Sequence, residues 1–233
     1  MGLDSRALPI RRRQLDANLQ SGPQMFMYRD LADRLARRDP GRTLDWGCGW
    51  GQVSALLLER GVDVTAFDFR PGLGGPQTEP LERYPEIVAQ LSPDPVALPF
   101  EDGAFDTVLS CGVLEHVSDP DGSVAEIHRV LRLGGTFYVT NLPNRFSYTE
   151  RAAKLLGLYY HGQLPEDEVY TRQTARALLE RHGFDIRELR LAHMLPLTLG
   201  GPARPIWTAS RILERIPVLN LVATSLELVA LAR

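Results

Sequence analysis

Gly47, Gly49 and Gly51 stand at alternate positions, and Asp45 lies two residues ahead of the first. A short apolar stretch, Thr43 to Trp46, runs into them, and a helical pattern follows from Gln52. A strand that breaks into glycine and restarts as a helix is a nucleotide-binding device. Missing side chains let a ligand approach the backbone, and the helix start offers free N–H groups. The spacing is G-x-G-x-G, whereas a dinucleotide fingerprint requires G-x-G-x-x-G. Asp68 closes the next apolar run, Val64 to Phe67, 21 residues after Gly47. That is near the interval at which a carboxylate meets a ribose diol.

Size and composition narrow the classes. The chain has 233 residues, 44% apolar and 24% charged, which suits one α/β domain with a sizeable core. A net charge of −3 argues against a nucleic-acid partner. Cys48 and Cys111 are the only cysteines, and no signal-peptide pattern follows Met1, so reduced thiols in a cytoplasmic protein are the expectation. Lys154 is the only lysine, beside 25 arginines, a bias that points to a GC-rich bacterial genome.

Around the glycines the sequence alternates strand and helix. An amphipathic helix is expected over Gln24–Arg38, with Met25, Tyr28, Leu31 and Leu35 on one face. Strands are expected at 43–46, 63–67, around Val96–Ala97, and at 105–110, 136–141, 185–192 and 226–232. Helices are expected at 52–60, 80–91, 121–131 (closed by Gly134-Gly135) and 171–182. Alternation of this kind gives a mostly parallel sheet covered on both faces, with ligands at the carboxyl ends of its strands.

Further motifs follow at set intervals. Asp94-Pro-Val-Ala-Leu-Pro-Phe100 precedes Leu-Glu-His-Val at 114–117, and Glu-Ile-x-Arg-Val-Leu-Arg-x-Gly-Gly spans 126–135. Together with the glycine loop, over roughly 42–145, they resemble the class I S-adenosylmethionine (SAM) methyltransferases, in particular the methyltransferase type 11 family. The resemblance implies a Rossmann-like, doubly wound, seven-stranded sheet of order 3-2-1-4-5-7-6 in one domain. The core is then about 41–145 and 171–233, and 1–40, 143–170 and 194–224 are lid segments.

The resemblance also assigns roles. SAM would use the amides of Gly47, Cys48, Gly49 and Gly51 for its carboxylate, Asp45 for its ammonium and Asp68 for its ribose. Phe69 and Arg70 would flank the adenosine, and Asp94 would reach the adenine amine. Pro95 stands where the family has a small residue and has no N–H to give, so a backbone bond to adenine would fall to Val96. Cys111 and Gly112 would line the methionine end, and Leu114 and Glu115 would lie over the cofactor. His116 is either a structural imidazole or a proton acceptor. His161 is a second base candidate. Asn144, Arg145, Tyr160 and His193 are substrate-side candidates, although Pro143-Asn144 could simply make a turn. His128 and His182 read as structural.

Metal-using relatives carry an acid three residues before the Glu of Leu-Glu-His. That position is Gly112 here, so no metal is expected.

The implied activity is in-line methyl transfer to oxygen or nitrogen of a small or lipid-like acceptor. The lids are rich in apolar residues, among them Phe146, Tyr148, Met194, Ile206 and Trp207. Two other classes compete. An NAD-dependent oxidoreductase fits the glycine spacing poorly. A non-catalytic SAM-fold module, or one that touches membranes through the apolar stretches 146–160 and 206–226, remains open. Lid or core packing is the favoured reading of those stretches.

Overall fold

A computed structural model describes residues 22–158, 167–195 and 202–233. Its centre is an eight-stranded sheet: β1 (Thr43–Trp46), β2 (Val64–Phe69), β3 (Gln77–Pro80), β4 (Val88–Ser92), β5 (Phe105–Cys111), β6 (Leu131–Pro143), β7 (Phe184–Ala192) and β8 (Ser225–Ala232). The spatial order is β3-β4-β2-β1-β5-β6-β8-β7. The run from β4 to β6 is parallel, whereas β8 is antiparallel to both β6 and β7. Setting β3 aside, this is the expected order.

Three expectations need correction. Residues 80–91 form no helix. They contribute to an antiparallel hairpin, β3 with β4, which adds an eighth strand at the edge. The third parallel strand is therefore Val88–Ser92 and not Val96–Ala97. Buried Ala89 and Leu91 alternate with the more exposed Val88 and Gln90, a period-two pattern only four residues long. Finally, the helix before β6 stops at Val130, and Leu131 already has extended backbone. Gly134 and Gly135 lie within β6, next to the bulge where pairing slips between Phe105 and Thr107.

Helices cover both faces. One face carries α1 (Gly22–Ala36), α2 (Gln52–Leu58) and α6 (Ala203–Leu213); the other carries α3 (Pro120–Val130) and α5 (Arg172–Arg181). α4 (Tyr148–Leu155) buries none of its residues. On the first face Leu31 and Leu35 of α1 meet Val53 and Leu57 of α2 over Leu109 of β5. On the second, Ile127 and Leu178 pack over Val108, Phe137 and Phe184. Each such buried side chain contributes roughly 1.5–3 kcal/mol.

Polar contacts fix the loops. Asp119 caps α3 by accepting from the Gly122 amide, 2.9 Å away. Arg129 of α3 holds the turn before β5, donating to the carbonyls of Leu98 and Phe100 at 3.0 and 2.8 Å and to Asp102 at 2.7 Å.

Candidate active site

Strand register assembles the site. Trp46 pairs with Phe67 on one side and Ser110 on the other, so the next residues, Gly47, Asp68 and Cys111, share one level at the strand ends. Cys111 pairs in turn with Thr140 of β6. The amides of Gly47 and Cys48 donate to the Phe67 carbonyl at 2.9 and 2.8 Å, which folds the chain back before α2 begins.

The three glycines have different reasons for being there. All have positive φ: 75° at Gly47, 54° at Gly49 and 84° at Gly51. A Cβ on Gly47 would lie 2.5 Å from a Val113 methyl, and one on Gly51 would lie 2.5 Å from Leu81 Cδ1. Those two glycines satisfy the protein's own packing. At Gly49 a Cβ would meet nothing within 4 Å. Its amide donates to Asp68 Oδ2 at 3.1 Å, and Asp68 Oδ1 accepts from the Phe69 amide at 2.9 Å. Open space above that glycine, with a carboxylate beside it, is a cradle a nucleoside can enter.

The cradle is acidic. Asp45 is 2% exposed and accepts from Ser54 Oγ at 2.6 Å. Burial pushes its carboxyl up to about 6, against the pull of Ser54 and with Asp68 adding to the rise. Burial also raises Asp68, opposed by the Phe69 and Gly49 amides. The thiols report the same field. Cys48 is pushed up by burial, then by Asp45 and Asp68. Cys111 is pushed up by burial, then by Asp45, Glu115 and Glu227. Both are neutral thiols, unsuited to act as nucleophiles. A cup of carboxylates that are costly to bury is stabilised by a cation, so the sulfonium and ammonium of SAM fit its charge.

The motif after β5 divides its residues. Gly112, at φ 72°, donates to the Thr140 carbonyl at 3.0 Å. Leu114 is wholly buried in the main core, so its side chain packs beneath the loop and not over the cradle. His116 Nδ1 lies 3.0 Å from Asp167 Oδ1, and Nε2 lies 4.0 Å from Glu115 Oε1. A carboxylate on Nδ1 favours the tautomer with its proton there, which makes Nε2 the accepting nitrogen.

The remaining candidates separate. Phe69 is half exposed beside Asp68. Asp94 is fully exposed, and its Oδ1 accepts from both Val96 and Ala97 at 2.8 Å, which holds its carboxyl below the usual range. The Val96 amide is thus bonded to Asp94, and Pro95 has none. Asn144 is buried, its Nδ2 donating to the carbonyls of Leu221 and Ala223 at 3.1 and 2.8 Å, while Arg145 is exposed. His193, at φ 62°, is wholly buried: Nδ1 lies 2.8 Å from Ser225 Oγ and the ring lies 5.6 Å from Trp207. Burial holds its imidazole down to about 4. Tyr160 and His161 lie outside the described residues.

Other groups at the site come from the expected lid segments 1–40 and 194–224. Tyr28 of α1 reaches the strand ends, where burial raises its phenol and Cys111 and Asp45 add to the rise. Met27 packs on Trp207 of α6 beside Cys111. These two helices cover the strand end at Cys111. Behind them Glu227 of β8 accepts from Arg34 at 3.2 Å, from Thr140 at 3.2 Å, and from Arg190. Burial would raise its carboxyl, but His193, Arg34 and Arg190 together hold it down to about 2.

Fold and site together define a Rossmann-like domain built for a cationic, nucleoside-bearing ligand. Comparison with known proteins agrees: residues 44–139 match a family described as methyltransferase domain. A demethylmenaquinone methyltransferase of Thermus thermophilus is 32% identical over 131 residues, 55% of this chain and 60% of that protein. Its namesake from Beutenbergia cavernae is 36% identical over 121 residues, 52% of this chain and 49% of that protein. The chain thus matches about half to three-fifths of those relatives' lengths. A Thermotoga maritima structure, titled a SAM-dependent methyltransferase and possible histamine N-methyltransferase, shares the fold. Its TM-score is 0.57 at 15% identity, covering 97% of this chain and 96% of that one.

Proposed function

We propose that this protein is a SAM-dependent methyltransferase acting on a small, lipid-like acceptor of the quinol type. The observation that carries the reading is the level shared by Gly47, Asp68 and Cys111, with open space above Gly49 and carboxylates around it.

Asp68 accepts from the ribose diol, and Asp45 accepts from the ammonium, directly or through water. The amides of Gly47, Cys48, Gly49 and Gly51, expected to take the carboxylate, already donate to the Phe67 carbonyl, to Asp68 and to the Cys48 carbonyl, so no loop amide is assigned to it. SAM, when bound, supplies an electrophilic methyl group on a sulfonium. The chain's own contribution is to hold donor and acceptor in line and keep water out, which Tyr28, Met27 and Trp207 do from α1 and α6. His116 takes the acceptor's proton at Nε2, with Asp167 holding the ring through Nδ1. A weakly acidic hydroxyl of a quinol suits a base of this kind. The acceptor class is supported by the names of the two curated relatives above and by the apolar residues on both covering helices.

The test is calorimetry with S-adenosylhomocysteine, followed by methyl transfer from SAM to a demethylated naphthoquinol. Asp68→Ala should abolish the heat in a chain that still melts cooperatively. Heat that persists in Asp68→Ala would refute the binding scheme. Binding of S-adenosylhomocysteine without transfer to any quinol would refute the acceptor class alone.

A further inference from the structure

We propose that the flank formed by α4 and the stretch from α6 to β8 docks on an anionic lipid bilayer. α4 runs only eight residues and buries none of them. Alone in water so short a helix is marginal, and its exposed side chains invite a partner. Leu155 and Leu156 are 87% and 72% exposed, and Phe146 just ahead of the helix is half exposed. The second stretch behaves likewise. α6 turns Trp207 inward onto Met27, but Ile212, Val218 and Leu221 face outward. The two stretches meet where the Asn144 amide grips the carbonyls of Leu221 and Ala223. That junction lies just beyond Pro143, the end of β6, at the same carboxyl end of the parallel strands as the cradle.

Charge selects the occupant. Residues 144–158 and 202–222 hold six cations and two carboxylates, in a chain whose net charge is −3. Arg145, Arg151, Arg204 and Arg215 are exposed and make no ion pair among the described residues. Apolar side chains amid arginines suit the headgroup region of a membrane with acidic lipids, where the leucines enter the acyl boundary and the cations meet phosphate. A second copy fits poorly, because two-fold pairing would set these cations against their own counterparts. No helix among the described residues is long and apolar enough to cross a membrane, so the contact is peripheral. It would place the cradle's mouth at the surface from which a lipid-like molecule is drawn, although the docking itself does not depend on the methyl-transfer reading.

The full chain should co-sediment with vesicles of equal parts phosphatidylglycerol and phosphatidylcholine and stay in the supernatant with phosphatidylcholine alone. Leu155→Glu with Leu156→Glu, and separately Arg151→Glu with Arg215→Glu, should each lower the bound fraction at least about tenfold. All four side chains are exposed, and an unchanged melting transition would show that the fold is intact. S-adenosylhomocysteine binding, measured in the same samples, reports the cofactor reading separately. The proposal is overturned by wild-type protein that ignores the anionic vesicles, by variants that pellet like wild type, or by light scattering that shows a dimer the leucine variant dissolves.

Discussion

Replacing Asp45 with Asn should make the ligand-free protein more stable while weakening its grip on S-adenosylhomocysteine. The carboxyl of Asp45 is raised from its ordinary 3.8 to about 6, chiefly by burial. Between those values the folded protein binds more protons than the unfolded chain, so stability falls as pH rises through that window. Above pH 6 the full cost applies: about 2 pKa units at ~1.4 kcal/mol each, or about 3 kcal/mol. Asn keeps an oxygen for Ser54 Oγ but brings an amino group that needs a partner, so about 1–3 kcal/mol should be recovered. For a chain of this size that raises the melting temperature by about 3–9 °C at pH 7.5. His193 acts in the opposite sense over a similar window, since its imidazole is held down to about 4 from 6.5. Its contribution cancels in the difference between wild type and variant. The assay is therefore a pair of melting curves at pH 4.5 and 7.5, with calorimetry for S-adenosylhomocysteine. The variant's advantage should fall to about a third at the lower pH, and affinity at pH 7.5 should fall about tenfold or more as the charged contact is lost. A variant no more stable than wild type at pH 7.5, or equally advantaged at both pH values, would refute the buried, ionised Asp45.

Other outcomes follow from the same geometry. Gly47→Ala should cost about 2–4 kcal/mol in urea denaturation, combining the strain of φ 75° with the Val113 contact, and Val113→Ala should recover only the contact part. Gly49→Ala has open space and should cost about 1 kcal/mol from backbone strain alone, yet it should lose S-adenosylhomocysteine binding if the cradle is the nucleoside site. Asp167→Asn should lower kcat by about tenfold or more while leaving cofactor affinity and KM for the acceptor unchanged, whereas a merely structural Asp167 would alter stability without that split. Glu227→Gln should destabilise by about 3–5 kcal/mol, because two guanidinium groups lose their shared carboxylate. With Glu227 held down to about 2 against an ordinary 4.5, the wild-type benefit is full above pH 4.5 and fades as pH falls toward 2.

The central strands and the glycine bend were legible because local signals and tertiary structure agree there. Thr43–Trp46, Phe105–Cys111 and Ser225–Ala232 are buried runs bounded by turns, and Asp68 ends its strand at a spacing dictated by the fold. The β3–β4 hairpin departs from the helical expectation because its apolar alternation is confined to Val88–Leu91 and pairing with β2 decides the conformation. The extent of β6 was missed because paired glycines usually end helices, and here they sit in a bulge. At the site, chain-local motifs located Asp45 and the loop, but not what faces them. Asp167 lies 51 residues from His116, and Ser54 looks like any small helical residue. His193 follows a strand and so resembles a cavity residue, but the antiparallel insertion of β8 buries it behind Ser225.

The clasp of Arg34 and Arg190 on Glu227 has a consequence for descent. Loss of the acid alone leaves two part-buried cations facing each other, and loss of either arginine leaves charge unbalanced beside His193. A lineage that abandons the trio has to change several of its members nearly together, and the first helix is inherited with a matching partner on the last strand. Residues 34, 190 and 227 should therefore vary as a set across homologues, even where the lids around them diverge freely.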